Sequence, residues 1–158
     1  MTVSEVAIDQ TVPDFTAPMT SEKTFQLSRL LGKNIILYFY PKDNTPGCTT
    51  ESIAFRDLYT EFQHTNTEIY GISRDSLRSH EGFKAKLGMP FELISDQEEM
   101  LCSLFRVMKL KNMYGKTVRG IERSTFIIDA KGNLVKEWRG VKVAGHADEV
   151  LEFVKNLA

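Results

Sequence analysis

Residues 34–51 read NIILYFYPKDNTPGCTTE, and the order of residue types in this stretch sets the architecture. Asn34 to Tyr40 is apolar on both faces and rich in β-branched and aromatic side chains, which suits a central strand covered on each side. Pro41 to Gly47 breaks the pattern. From Cys48 onward, Phe55, Leu58, Tyr59 and Phe62 recur at helical spacing while Arg56, Asp57 and Glu61 fill the other face, which predicts an amphipathic helix. Thr45 followed by Pro46 is the order of an N-cap and a first helical residue, so Cys48 falls in the first turn. A sulfur there sits by unpaired backbone N–H groups and the positive end of the helix dipole, both of which favour the nucleophilic thiolate. A free cysteine is equally often a small buried apolar residue, so Cys48 alone leaves both readings open.

The flanking sequence continues the alternation of strand and helix. Glu68 to Ser73 reads as a second strand, and Ser76 caps a helix carrying Leu77, Phe83 and Leu87. Phe91 to Ser95 is a third strand; Asp96 with Glu99 three residues later has the form of a capping box opening a short helix through Leu101, Leu104 and Phe105. Met108 to Gly120 has little periodicity and reads as an extended loop. Ser124 to Asp129 and Leu134 to Arg139 flank the turn Ala130 to Asn133 and predict a hairpin, and Val150, Leu151, Val154 and Leu157 mark a last helix. The order β-α-β-α-β-α-ββ-α predicts an α/β fold with a central mixed sheet and helices on both faces.

Composition excludes several classes. The 158 residues are 42% apolar and 26% charged, enough for one core, and no repeat or linker divides them, so residues 1–158 are expected to form one domain. Twenty basic against 21 acidic side chains, with no long run of either sign, argue against nucleic acid as a partner. Met1 to Gln10 lacks a basic segment followed by an apolar one, and no stretch approaches the roughly 20 apolar residues of a membrane span. A soluble, cytoplasmic protein without a membrane partner is expected.

Pro41-x-x-x-Thr45-x-x-Cys48 resembles the active-site motif of the peroxiredoxins, and YFYPKDNTPGCTTE is similar to that of the peroxiredoxin Q, or bacterioferritin comigratory protein, subfamily. Four further segments carry the likeness in family order: Val12 to Phe15, Gly71 to Asp75, Glu122 to Asp129, and Gly145-His146. The resemblance implies a thioredoxin-like fold and a thiol peroxidase that reduces hydrogen peroxide and organic hydroperoxides. It implies Cys48 as the peroxidatic cysteine, passing through a sulfenic acid. It implies Thr45 as a hydrogen-bonding partner of thiolate and peroxide, Arg123 as a cationic donor to thiolate and leaving oxygen, and Pro41 as the shield of the pocket. Glu51 lies in the matched run without an assigned role beyond favouring a helix N-terminus. No cofactor is implied, and a monomer is expected.

The second cysteine departs from the family pattern. The resolving position five residues after Cys48 is Ile53, and the one on the following helix corresponds to Lys84. Cys102, among Met100, Leu104 and Phe105, is the remaining candidate; its surroundings suit a buried structural thiol, and resolution of Cys48 by Cys102 is the alternative. The preferred expectation is resolution by an external thiol such as thioredoxin, glutaredoxin or glutathione. His64, His80 and His146 share no metal-ligand spacing and are expected to be solvated or helix-terminal, with no metal site. Tyr114 to Thr117 lacks the upstream glycine of a P-loop, Lys111 standing there instead. Two other functions stay open. A disulfide exchanger would need a second cysteine where Glu51 stands, and a redox-sensing or chaperone-like binding module would keep its protective action without Cys48.

Overall fold

Strand formation follows the apolar runs, and the sheet they build separates two distinct cores. The computed structural model describes residues 6–157; part of the Met1 to Gln10 reading and both ends of the 1–158 span lie outside them. Strands β1 (Thr16–Met19) and β2 (Lys23–Gln26) form a hairpin ahead of β3 (Asn34–Phe39). Helices α1 (Pro46–Asp57) and α2 (Tyr59–His64) lead to β4 (Thr67–Ser73), and α3 (Leu77–Leu87) leads to β5 (Glu92–Ser95). Then come α4 (Met100–Leu104), β6 (Met108–Met113), β7 (Lys116–Ile121), β8 (Ser124–Ile128), β9 (Leu134–Arg139) and α5 (His146–Lys155).

Seven strands make one mixed sheet in the order β2-β1-β5-β4-β3-β8-β9. β3, β4 and β5 run parallel, whereas β8 pairs antiparallel with β3 in the register Tyr38 to Thr125 and Phe39 to Ser124. Side chains alternate across β3. Ile36, Tyr38 and Tyr40 join Cys48, Phe55, Phe62, Phe83 and Val150 on the face covered by α1, α2, α3 and α5. Ile35, Leu37 and Phe39 join Leu101, Cys102, Phe105 and Phe126 on the face covered by α4 and the amino-terminal segments. The fold is thus a mixed sheet with helices on both faces, as the sequence predicts.

Four local readings change. The helix expected from Cys48 through Phe62 breaks at Leu58, whose N–H turns back to the carbonyl of Phe55 at 3.2 Å, giving α1 and α2. Met108 to Gly120 is not a loop: β6 and β7 pair in an antiparallel two-stranded sheet, from Met108 against Ile121 to Met113 against Lys116. The Asp96–Glu99 capping box is absent. Asp96 alone accepts from the N–H groups of Leu101 at 3.0 Å and Cys102 at 2.8 Å, while Glu99 pairs with Arg74 and Arg119. The β1–β2 hairpin has no counterpart in the sequence reading.

Gly71 is the tightest point behind the active-site face. It lies beside Tyr38 in the β3–β4 register, and a Cβ there would meet the Tyr38 ring and Leu93 Cδ2 at 2.8 Å. Tyr38 is itself pinned, its hydroxyl 2.9 Å from Ser52 Oγ and its ring stacked on Phe55. Gly71→Ala is therefore expected to destabilise the protein by about 1–3 kcal/mol through overpacking, read as a lower denaturant midpoint; an unchanged midpoint would contradict this packing.

Candidate active site

Helix α1 starts where the sequence predicts. Thr45 is its N-cap with extended backbone angles, Pro46 opens the helix, and Cys48 sits in the first turn. The Thr45 hydroxyl does not cap, however. It donates to the Lys42 carbonyl at 2.8 Å, which folds the Pro41 to Thr45 loop on itself and leaves the oxygen's lone pairs as acceptors. Pro41, half-buried, follows directly on the last core residue of the strand end, Tyr40.

Arg123 comes from the far side of the sequence, just before β8, which lies next to β3. Its guanidinium makes two bonds in different directions: Nη2 donates to Cys48 Sγ at 3.4 Å, and Nη1 donates to Glu51 Oε1 at 2.6 Å. The absence of a side chain on Gly47 makes room for it, since a Cβ there would stand 3.1 Å from Nη2. Cys48 and Glu51 are each 1% exposed, so both groups are held out of water against one cation. Burial pushes the Glu51 carboxyl up to about 7, with the charge and hydrogen bond of Arg123 opposing the rise. Its second oxygen, Oε2, is buried and has no hydrogen-bond partner among the described residues.

The rest of the surroundings are polar groups in fixed partnerships. Lys111, from β6, donates to the Ile121 carbonyl, and burial and the nearby Arg123 charge lower its pKa. His146 bonds Thr125 Oγ1 at 2.8 Å, and burial pushes its pKa down to about 4, so its ring is neutral near pH 7. Behind the loop, Asp43 accepts from the Tyr40 hydroxyl at 2.6 Å and the Ser79 hydroxyl at 2.8 Å, and lies 2.7 Å from His80 Nδ1. This ties the Pro41 to Thr45 loop to α3. His64 and His146 are helix-terminal as expected, His64 exposed at the end of α2 and His146 buried at the start of α5, whereas His80 is buried within α3 and is neither solvated nor terminal. Asp43, Asp75 and His80 are close enough to suggest a metal site. Their donors are already committed, however: His80 Nε2 lies 2.9 Å from the Ile94 carbonyl, and Asp75 accepts from the Asp43 N–H and the Ser73 hydroxyl. The Asp43 network, Gly47 and the pairing of Glu51 are the parts the sequence reading missed.

Cys102 is not brought to this site. It is fully buried in the opposite core layer, under Ile35, Leu37 and Phe39, and burial together with the Asp96 charge pushes its thiol up, away from thiolate. A disulfide needs Cα atoms within roughly 7 Å, and the intact sheet stands between the two sulfurs.

Comparison with known proteins places the chain in a family. The AhpC/TSA family matches residues 8–137, and the chain belongs to that family. Peroxiredoxin Bcp of Xanthomonas campestris is 56% identical over 124 residues, 78% of each chain, and peroxiredoxin Bcp of Bacillus subtilis is 47% identical over 153 residues, 97% of this chain and 98% of that one. A structure of Xanthomonas campestris peroxiredoxin Q is 50% identical with a TM-score of 0.85, covering 89% of each chain. A cysteine-to-serine mutant of Xylella fastidiosa PrxQ superimposes with a TM-score of 0.90 at 43% identity, covering 97% of this chain and 98% of that one. The fold and the family define a thiol-dependent peroxidase of the Bcp, or peroxiredoxin Q, kind.

The raised pKa of Glu51 links the site to stability. The folded protein holds this proton up to about pH 7, whereas an unperturbed carboxyl releases it near 4.5. The stabilisation is complete below the lower value and is lost as the pH rises through the upper one. Glu51→Gln cannot titrate, so its stability relative to the wild type should rise as the pH goes from 4.5 to about 7, read from urea midpoints. A difference independent of pH would show that Glu51 is ionised throughout.

Proposed function

We propose that Cys48 is the peroxidatic cysteine and that Thr45, Arg123 and Pro41 complete its site. The observation that carries this is the 3.4 Å contact between Arg123 Nη2 and Cys48 Sγ at the first turn of α1. The cation and the helix terminus favour a negative sulfur and, later, the negative charge on the leaving oxygen. The thiolate attacks the terminal oxygen of a hydroperoxide; an S–O bond forms, the O–O bond breaks, and Cys48 becomes a sulfenic acid while water or an alcohol leaves. Thr45 accepts from the peroxide through its free lone pairs and, with its hydroxyl turned from the Lys42 carbonyl, donates to the thiolate, and Pro41 shields the loop side. Hydrogen peroxide and organic hydroperoxides are the proposed substrates. Support for the organic class comes from the alkyl peroxide reduction activity named for the Xanthomonas campestris bacterioferritin comigratory protein, 49% identical to this chain.

Return to thiolate is assigned to an external thiol: thioredoxin, glutaredoxin or glutathione. Ile53 and Lys84 offer no sulfur at the positions where the resemblance places a resolving cysteine, and the burial of Cys102 across the sheet argues against an internal disulfide. A sulfenic acid without an internal partner lives longer, so over-oxidation to sulfinic acid is an expected liability. The reading is completed by a cytoplasmic monomer, one domain over residues 1–158, acting in antioxidant defence. No helix among the described residues is long and apolar enough to cross a membrane.

With an external thiol present, Cys48→Ser should abolish hydroperoxide turnover while leaving the circular dichroism spectrum and thermal transition in place. Cys102→Ser should retain turnover within about threefold, since buried cysteines act mainly as packing. Turnover surviving in Cys48→Ser would remove the peroxidatic assignment, and protection surviving there without turnover would favour a binding module.

A further inference from the structure

Attack of a thiolate on a hydroperoxide leaves a strongly basic alkoxide or hydroxide, which must be protonated as the O–O bond breaks. Cys48, Thr45, Arg123 and Pro41 include no acid able to do this near neutral pH: a thiolate has already lost its proton, and a guanidinium does not release one. The buried carboxyl beside them has no other evident task. Glu51 lies three residues after Cys48, so the two side chains share one face of α1. Both are held on one guanidinium, through Oε1 at 2.6 Å and through Sγ at 3.4 Å, and Oε2 has no partner among the described residues.

We propose that Glu51 is the general acid of the reaction, protonated before attack and delivering its proton to the leaving oxygen. The step balances as follows. Cys48 S⁻ takes the terminal OH of ROOH and is oxidised by two electrons to S–OH; the O–O electron pair leaves on RO⁻; Glu51 gives its proton to RO⁻, forming ROH and a Glu51 carboxylate. Charge balances too. Before attack the buried group holds thiolate, guanidinium and a neutral carboxyl; afterwards it holds a neutral sulfenic acid, guanidinium and a carboxylate. The buried cluster has the same net charge at both ends, and the negative charge merely passes from one side of Arg123 to the other. An ionised Glu51 at the outset would instead place two anions on one cation out of water, an arrangement the interior disfavours. Burial, which pushes this carboxyl up to about 7, supports the same assignment. Solvent returns the proton while the sulfenic acid is reduced.

The groups around Glu51 are few. Among the described residues they are Arg123 before β8, Cys48 one turn away on its own helix, and Tyr38 of β3; Lys111 of β6 and His146 of α5 interact with Arg123 instead, and His146 is neutral near pH 7. The Tyr38 phenol is pushed well above its ordinary range by burial and stays neutral.

This proposal rests on Cys48 being the attacking thiol, and leaving-group chemistry tests the two separately. Rapid-quench loss of the Cys48 thiol is measured with tert-butyl hydroperoxide, which expels an alkoxide, and with peracetic acid, which expels acetate and needs no acid. Glu51→Gln should slow the first reaction by about 100-fold and the second far less, the usual scale of a lost general acid. Equal losses on both oxidants would overturn the acid role. Failure of the wild type to lose the Cys48 thiol to either oxidant would overturn the peroxidatic assignment itself, and this proposal with it. A second readout needs no variant. In the wild type the ratio of tert-butyl hydroperoxide rate to peracetic acid rate should fall as the pH is raised through about 7, where Glu51 loses its proton. A flat ratio would contradict the proposal.

Discussion

One guanidinium holds the site together. Arg123 bonds the sulfur of Cys48 with one nitrogen and the carboxyl of Glu51 with another, and those two residues are one helical turn apart on α1. The contact fixes the first turn of the helix against the β8 end of the sheet. It also explains Gly47, where a side chain would press on Nη2 at 3.1 Å. Both acidic partners are buried, and burial pushes the Glu51 carboxyl up while the charge and hydrogen bond of Arg123 oppose the rise. A planar fork with fixed donor directions holds both partners; a lysine, a compact point charge with rotatable donors, would not fix the two directions.

The sheet imposes the second constraint. Alternation along β3 sends Tyr38 to the helical layer containing Cys48 and its neighbours Leu37 and Phe39 to the layer containing Cys102. Two cysteines on opposite faces of a seven-stranded sheet cannot meet unless α4 and α1 both leave the places that bury them. Cys48 and Cys102 are thereby kept on opposite faces, and Cys102, itself a residue of α4, is buried in its core layer with its N–H bonded to Asp96.

How much of this was legible in the sequence follows from the range of each interaction. The β3–loop–α1 unit was legible because hydrophobic run, Thr-Pro cap and helical period are all local. The pairing of Arg123 with Cys48 spans 75 residues and with Glu51 spans 72, so spacing could not show it; the family resemblance supplied the arginine but not its second bond to the carboxyl. β6 and β7 are hard to read because their described side chains are mostly exposed and the alternation of Met108 and Leu110 with Lys109 and Lys111 is short and not repeated in β7. The β1–β2 hairpin consists of four-residue strands, too short for a period to register. His80 looked like a surface residue because its partner, Asp43, lies 37 positions away in the loop before α1. Glu99 stood at the right spacing for a capping box, but its carboxylate was claimed by Arg74 and Arg119 instead.

Assigning oxidation chemistry to Cys48 alone requires that Cys102 stay sealed behind the sheet. The most direct measurement adds one equivalent of hydrogen peroxide to the fully reduced protein with a sulfenic-acid trap present, then reads intact mass and assigns modified sites by peptide mapping. A single trapped adduct on Cys48 and an unmodified Cys102 thiol are expected. Loss of both thiols with the mass of an internal disulfide would contradict the assignment, and would mean that the sheet does not keep the two sulfurs apart during the catalytic cycle.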